Sequence, residues 1–161
     1  MSMRIGIGYD SHRFSTGGQL VLGGVAIPHA CGLKAHSDGD VLCHAIIDAI
    51  LGALGAGDIG RHFPDTDPRW RDAVSTELLR HVISLAQTAG FVISWIDSIV
   101  ITEQPKLAPH IEAMKSSLTA AGIPPGCINI KAKTNEKMGF IGRGEGIAAQ
   151  AVCLLTQSFR G

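Results

Sequence analysis

Asp10 and His12 set a carboxylate and an imidazole two positions apart in the alternating segment Arg4 to His12. In a strand such residues project from one face, so the two side chains converge on one point, and Gly6 and Gly8 precede them there and leave room. By itself the D-x-H pair is equally a surface aspartate beside a hydrogen-bonded histidine. A second group changes the weighting. Asp40, His44 and Asp48 fall at i, i+4 and i+8, one stripe of a helix, whereas Val41, Leu42, Cys43, Ala45, Ile46, Ile47, Ala49, Ile50 and Leu51 make it apolar almost all round. Such a helix is buried, and buried ionisable groups need partners or a metal; a core histidine paired with Asp48 would also meet that need. Taken together, Asp10, His12 and His44 form a two-histidine, one-carboxylate set with a fourth position open, which suits catalytic Zn²⁺ better than Ca²⁺ or Mg²⁺. Asp48 or Asp40 is then expected to accept the proton of the His44 ring nitrogen facing away from the metal.

Two more stretches carry candidate chemistry. Asp58-Ile59-Gly60 with Asp65-Thr66-Asp67 offers carboxylates to a polyol or a hard cation, although Asx turns around Pro64 and Pro68 explain them equally well. Lys133-Thr134-Asn135-Glu136 with Gly139 to Gly144 supplies a hydroxyl, backbone N–H groups and Arg143, which an anionic phosphate would seek. Glu136 beside them suits a Mg²⁺ that bridges phosphate oxygens. No Walker loop is present, and a glycine-rich hairpin is the plain alternative.

These residues need elements to position them. Arg4 to His12 reads as a strand and Gln19 to Leu22 as a second, short one between glycine pairs. Asp38 to Leu54 is helical, with Ser37 or Asp38 as the cap, and the loop His62 to Pro68 is expected to be exposed and mobile. Helical spacing returns at Leu78, Leu79, Val82, Ile83 and Ala86 and stops at Gly90. Phe91 to Glu103 is β-rich, Pro109 opens a helix that ends at Gly122, and Ile128 to Lys133 is a strand. Glu136 to Gly146 is a loop, and Ile147 to Thr156 is a last strand, apolar on both faces and therefore buried. The order β(β)-α-β-α-β-β, with no repeat or linker, predicts one α+β domain over residues 1–161. Its sheet is mixed, its helices pack on one face, and its final two strands can lie antiparallel.

Composition narrows the function classes. The 161 residues hold 45% apolar and 17% charged residues, enough for a real core. Lys+Arg 14 against Asp+Glu 14 gives zero net charge, which argues against a nucleic-acid partner and favours self-association. No run of eighteen apolar residues predicts a membrane span. Met1 to Gly8 lacks a secretory pattern, and Cys31, Cys43, Cys127 and Cys153 form no CxxC pair, so free thiols in a cytoplasm are expected.

Four stretches, in order along nearly the whole chain, resemble one family: Asp10 to Phe14; His36-Ser37-Asp38-Gly39-Asp40 with His44; Gly57-Asp58-Ile59-Gly60 through Phe63 to Pro68; and Glu136-Lys137 with Gly142 to Gly146. The family is 2-C-methyl-D-erythritol 2,4-cyclodiphosphate synthase, of non-mevalonate isoprenoid biosynthesis. The resemblance implies a phosphorus–oxygen lyase that converts 4-diphosphocytidyl-2-C-methyl-D-erythritol 2-phosphate to the cyclodiphosphate and CMP. The reaction would be a metal-assisted intramolecular attack of the 2-phosphate on the β-phosphate. It implies a homotrimer with active sites between subunits, Zn²⁺ on Asp10, His12 and His44, and Mg²⁺ or Mn²⁺ on Glu136. His36 and Thr134 match positions that stabilise the transition state. Ser37, Asp58, Ile59, Gly60, Phe63, Asp65, Asp67, Phe140 and Arg143 match substrate contacts. Thr102, Glu103, Gln104, Pro105, Lys106, Leu107 and Ala108, with Lys133 and Thr134, match a cytidine pocket contributed by the neighbouring subunit. Many members carry threonine where Lys133 stands; a lysine there would meet a phosphate oxygen as a point charge.

Two rival readings fit parts of the same residues. A zinc-dependent phosphoesterase needs only the metal ligands. A non-catalytic trimer could bind an isoprenoid diphosphate on its axis, along the apolar Ile147 to Leu155 with Arg143 and Glu145 nearby.

Overall fold

The computed structural model describes residues 2–158; Met1, part of the stretch read for a targeting signal, lies outside them. The first strand, β1, runs over Met3–Thr16, and its alternation sorts side chains between two environments. Gly6, Gly8, Asp10 and His12 face the helix α1, Val41–Leu54. Ile5, Ile7 and Tyr9 face away. The two glycines are required by the closeness of the helix: a Cβ on Gly6 would lie 2.0 Å from the Ala49 carbonyl oxygen, and one on Gly8 1.9 Å from that of Ala45. Since Gly8 meets Ala45 while Gly6 meets Ala49, α1 runs antiparallel to β1. Its first turn therefore lies beside Asp10 and His12.

Helix α1 is the centre of the core. Leu42, Ile46, Ile47, Ile50 and Leu51 are fully buried, each contributing about 1.5–3 kcal/mol of apolar transfer. Its cap is Asp40, not Ser37 or Asp38. The Asp40 carboxylate accepts from the Cys43 N–H at 3.0 Å and from the Gly23 and Gly24 N–H groups at 2.9 and 2.7 Å. One side chain thus closes the helix start and pins the turn between β2 (Leu20–Leu22) and β3 (Val25–Ile27), a two-stranded sheet of its own. Gly55, at φ 69°, ends the helix in the left-handed conformation.

The remaining strands are β4 (Cys31–Leu33), β5 (Phe91–Ile101), β6 (Ile128–Lys133) and β7 (Gly146–Gln157). They join β1 in a five-stranded mixed sheet of order β4-β1-β7-β5-β6. β7 pairs antiparallel with β1, from Met3↔Thr156 to Arg13↔Gly146, and with β5, from Phe91↔Gln157 to Ile101↔Ala148, while β5 and β6 are parallel. The last two strands run in opposite directions, with β5 between them. Helices α3 (Ser75–Thr88) and α4 (Ile111–Ala120) share the core with α1 on one face of the sheet. Two single helical turns, α2 (Ile59–His62) and α5 (Gly139–Gly142), fall in stretches that sequence alone presents as loops.

Two expectations need correction. The loop from His62 to Pro68 is exposed at Asp65, Thr66 and Pro68 as expected, but it is anchored at Phe63, which is buried and meets the rings of Trp70 and His81 edge-on, at 4.9 and 5.6 Å between centroids. β7 is buried throughout on one face only: Ile147, Ala149, Ala151, Cys153 and Leu155 enter the core, whereas on the other face Ala148 is buried but Gln150 and Val152 are exposed. On that outer face Ile5 and Ile7 of β1 are 71% and 65% exposed and Trp95 of β5 is 45% exposed. Among the described residues no second layer covers it. No helix among the described residues is long and apolar enough to cross a membrane.

Because β1, β5 and β6 all run one way, their carboxyl ends gather at one edge of the sheet, where β7 begins. Asp10 and His12 near the end of the paired part of β1, the segment after β5, the turn after β6 and the first turn of α1 all meet that edge.

Candidate metal centre and adjoining clefts

At that edge the Asp10 Oδ2, His12 Nε2 and His44 Nδ1 atoms converge. Asp10 Oδ2 lies 3.0 Å from each imidazole nitrogen, and the two nitrogens are 3.4 Å apart. Among the described residues these three form a group able to hold a metal ion. An ion with bonds of about 2.0–2.1 Å in tetrahedral geometry needs ligand atoms about 3.3 Å apart. The spacing therefore fits a zinc-sized ion, with neutral imidazole and carboxylate as its donors.

The electrostatics follow from crowding three titratable groups together. Burial pushes the Asp10 carboxyl up, but hydrogen bonds with His12 and His44 outweigh it and hold the group at about 2. Burial pushes the His44 imidazolium down; the hydrogen bond and charge of Asp10, with Asp40 and Asp38 further off, outweigh it and raise the value above 6.5. A cation between these atoms would replace the protons that otherwise satisfy them.

The other ring nitrogen of His44 is not met by Asp40 or Asp48. Asp40 spends its oxygens on the three N–H groups of its cap and turn. Asp48, half-buried and raised by that burial, accepts from the Ile59 N–H at 2.7 Å and tethers α2 to α1. His44 Nε2 instead lies 2.8 Å from Ser75 Oγ and 3.3 Å from Ser37 Oγ. Sequence reasoning missed Ser75 because helical periodicity marks it only as the start of α3, 31 residues from His44.

A cleft of about 220 Å³ opens over the triad, lined by Asp10, His12 and His44 together with His36, Ser37, Ile59, Gly60, Phe63 and Asp65. The structure thus brings most of the expected substrate contacts to the metal-type cluster. His36 Nε2 and Asp65 Oδ2 are 4.0 Å apart across its mouth. Trp70 and Leu78 also line it, and the buried Trp70 indole N–H has no hydrogen-bond partner. Asp58 is occupied as the cap of α2, accepting from the Arg61 N–H at 3.0 Å. Asp67 faces Arg69, whose Nη2 donates to it at 2.6 Å, and does not line the cleft.

A second cleft, of about 190 Å³, lies between the ends of β5 and β6 and is lined by Thr102, Glu103, Pro105, Lys106, Leu107, Ala108, Lys133 and Thr134. Gln104 is not part of its wall, but its carbonyl accepts from Thr102 Oγ1 at 2.5 Å. Glu103 accepts from the Asn135 and Lys137 N–H groups at 2.9 and 3.3 Å and so shapes the turn after β6. Glu136, exposed at φ 51°, sits at the tip of that turn; Thr134 Oγ1 donates to it at 3.2 Å. Phe140 lies elsewhere, with Ser11, His12 and Arg13 at a further depression. Arg143 Nε donates to Glu145 at 2.6 Å, which holds that carboxyl low. Within one chain the two main clefts remain separate.

Fold and site together define a small α+β protein with a zinc-type Asp-His-His cluster at one edge of a mixed sheet and a second cleft, walled in part by Glu103, Lys106 and Lys133, two strands away. The model of the YgbB family matches residues 3–156, and the chain belongs to that family. It is 55% identical over 155 residues to the 2-C-methyl-D-erythritol 2,4-cyclodiphosphate synthase of Thioalkalivibrio sulfidiphilus, covering 96% of this chain and 97% of that protein. Among solved structures it superposes at TM-score 0.87 and 42% identity on a 2C-methyl-D-erythritol-2,4-cyclodiphosphate synthase in a CDP-bound form, covering 95% of this chain and all of that one. It also superposes at TM-score 0.93 and 44% identity on the bifunctional IspDF of Campylobacter jejuni, covering 98% of this chain but only 43% of that longer one.

Proposed function

We propose that the chain catalyses the reaction for which its relatives are named. It closes 4-diphosphocytidyl-2-C-methyl-D-erythritol 2-phosphate into 2-C-methyl-D-erythritol 2,4-cyclodiphosphate and releases CMP, as a phosphorus–oxygen lyase. The observation that carries this reading is the spacing of Asp10, His12 and His44 at the floor of a cleft walled by the Asp58–Asp67 region. Asp10, His12 and His44 would hold Zn²⁺, which when bound supplies a Lewis acid for a phosphoryl oxygen. Glu136 would hold the second divalent ion, Mg²⁺ or Mn²⁺, beside the nucleotide diphosphate.

The protein's own groups have a narrow task. The 2-phosphate is already anionic and needs no strong base, and both reacting phosphates belong to one molecule, so orientation supplies much of the rate. Ser37, Ile59, Gly60, Phe63 and Asp65 would seat the methylerythritol part, with Asp58 and Asp67 shaping the loop. His36 and Thr134 would donate to phosphoryl oxygens as charge shifts between them. The buried Phe63 and its ring neighbours Trp70 and His81 would keep water from the reacting phosphates. Thr102 to Ala108 with Lys133 would bind the cytidine diphosphate, the lysine meeting an oxygen as a point charge. Phe140 and Arg143 would complete the contacts.

The open apolar face of β1, β7 and β5 supports assembly as a homotrimer, and the separation of the two clefts within one chain supports sites completed between subunits. We place the enzyme in the cytoplasm, where its charged substrate would be made and used.

The test is phosphorus NMR of the purified protein with the diphosphocytidyl substrate, Zn²⁺ and Mg²⁺, beside a chelated control. Metal-dependent appearance of cyclic diphosphate and CMP is expected. CMP with a linear bisphosphate would overturn cyclisation in favour of a hydrolase, and no turnover by zinc-loaded protein would overturn the enzyme reading.

A further inference from the structure

Behind the cluster, on the side of His44 away from Asp10, hydrogen bonds form a chain with one consistent direction. The Asp38 carboxylate accepts from the Ser75 N–H at 2.9 Å and the Asp40 N–H at 3.2 Å, and Ser75 Oγ also hydrogen-bonds to its Oδ1. An ionised carboxylate accepts only, so the single hydroxyl proton of Ser75 points to Asp38. The Ser75 oxygen then faces His44 Nε2, 2.8 Å away, as an acceptor. Nε2 therefore carries a proton; with no cation in place Nδ1 also donates to the ionised Asp10 Oδ2, and it is the Nδ1 proton, not the Nε2 one, that an ion would displace. Ser75 is fully buried and His44 nearly so, and water does not offer an easy alternative.

We propose that Ser75 and Asp38 are positioning residues for the metal centre: they hold a proton on His44 Nε2, so that Nδ1 is the nitrogen that exchanges its proton for the ion. This rests on the reading of Asp10, His12 and His44 as metal ligands. The relay joins three elements, since Asp38 lies in the loop before α1, Ser75 opens α3 and His44 stands in the first turn of α1. Outer partners that fix a ligating imidazole typically contribute 10–100-fold in metal affinity.

Two variants separate direction from mere contact. Ser75→Ala removes the nearer acceptor and leaves Nε2 only the longer 3.3 Å contact with Ser37 Oγ, and zinc affinity, measured by competition with a chromophoric chelator, is expected to fall by about 10–100-fold. Asp38→Asn reverses the chain. With the amide oxygen on the Ser75 N–H, the amide NH₂ takes the place that accepted from Ser75 Oγ and the Asp40 N–H, so it donates to Ser75 Oγ, the Asp40 bond is lost, and the hydroxyl proton turns to His44 Nε2. The imidazole is then driven to the Nδ1–H form, as wrong-tautomer variants of catalytic triads show. Nitrogen-15 shifts of the zinc-loaded parent are expected to report a proton on His44 Nε2 with Nδ1 on the metal, and Asp38→Asn is expected to lose zinc affinity as Ser75→Ala does. Thermal melts confirm that each variant is folded; if one is not, the other and the parent spectrum still decide. A zinc-loaded parent without a proton on His44 Nε2, or folded variants that bind zinc as tightly as the parent, would overturn the relay while leaving the metal reading intact. A parent that binds no zinc would overturn both.

Discussion

Asp10 works against two opposed demands, and the outcome determines when the cluster accepts a cation. Its carboxyl, held at about 2, stays ionised at any physiological pH and keeps one negative charge between two imidazoles. The same charge raises the His44 imidazolium above its ordinary 6.5, so protons compete for Nδ1 at a higher pH than they would for a free histidine. Zinc affinity should therefore already weaken as the pH falls toward 6.5 from above. Chelator competition at stepped pH checks this, and affinity that stays flat until well below 6.5 would contradict it. In the metal-free protein the two groups also affect folding, with opposite signs. The depressed Asp10 contributes stability that is present above pH 3.8 and is lost as pH falls from there toward 2, on the order of 2 kcal/mol. The raised His44 contributes stability that is full below 6.5 and is lost as pH rises through its folded value. His44→Ala should abolish zinc retention without unfolding the chain, because the other faces of α1 remain packed.

The contact between β1 and α1 makes this cluster possible. Gly6 and Gly8 let the Ala45 and Ala49 carbonyls sit on the strand, and that approach brings the first turn of α1 within bonding reach of Asp10. Gly8→Ala would place a methyl inside the Ala45 carbonyl, and the helix would have to lift. A loss of about 3 kcal/mol or more is expected in urea unfolding, with weakened zinc binding because His44 moves with α1. Gly17→Ala is the control: at φ 78° with nothing near its Cβ position, it should cost only about 1 kcal/mol and leave zinc binding unchanged. This contact also shows what could be read beforehand. Alternation along Arg4 to His12 and the apolar wheel of α1 place Asp10, His12 and His44 on facing surfaces, because local periodicity decides which way a side chain points. The partner of His44 Nε2 is not legible in that way. Asp40 and Asp48 lie at helical spacing from His44, yet both are drawn off by backbone N–H groups of other segments, and Ser75 arrives from a different helix. Long-range hydrogen bonds leave no periodic trace. For the same reason the short strands β3 and β4, only three residues each, go unseen.

On the scale of the whole molecule, two facts call for more than one chain. Ile5, Ile7 and Trp95 lie open on the outer face of the sheet, an apolar surface that a monomer would leave in water. The cleft over Asp10, His12 and His44 and the cleft between β5 and β6 share no lining residue. In the homotrimer proposed above, each copy would cover its outer sheet face with its neighbours and could bring the metal cleft of one copy to the second cleft of the next, a head-to-tail contact. The consequence can be tested by mixing. His44→Ala disables every metal centre, and Ala108→Trp, which puts an indole into the second cleft, disables every nucleotide site; each variant alone should be inactive. If each active site takes one cleft from each of two neighbours, co-refolded equimolar variants form some junctions in which both clefts are intact. With random assembly that fraction is about one quarter of all sites, so activity should return to about a quarter of the parent level. If both clefts of a site came from one chain, no assembly could contain an intact site, and the mixture would stay as inactive as its components.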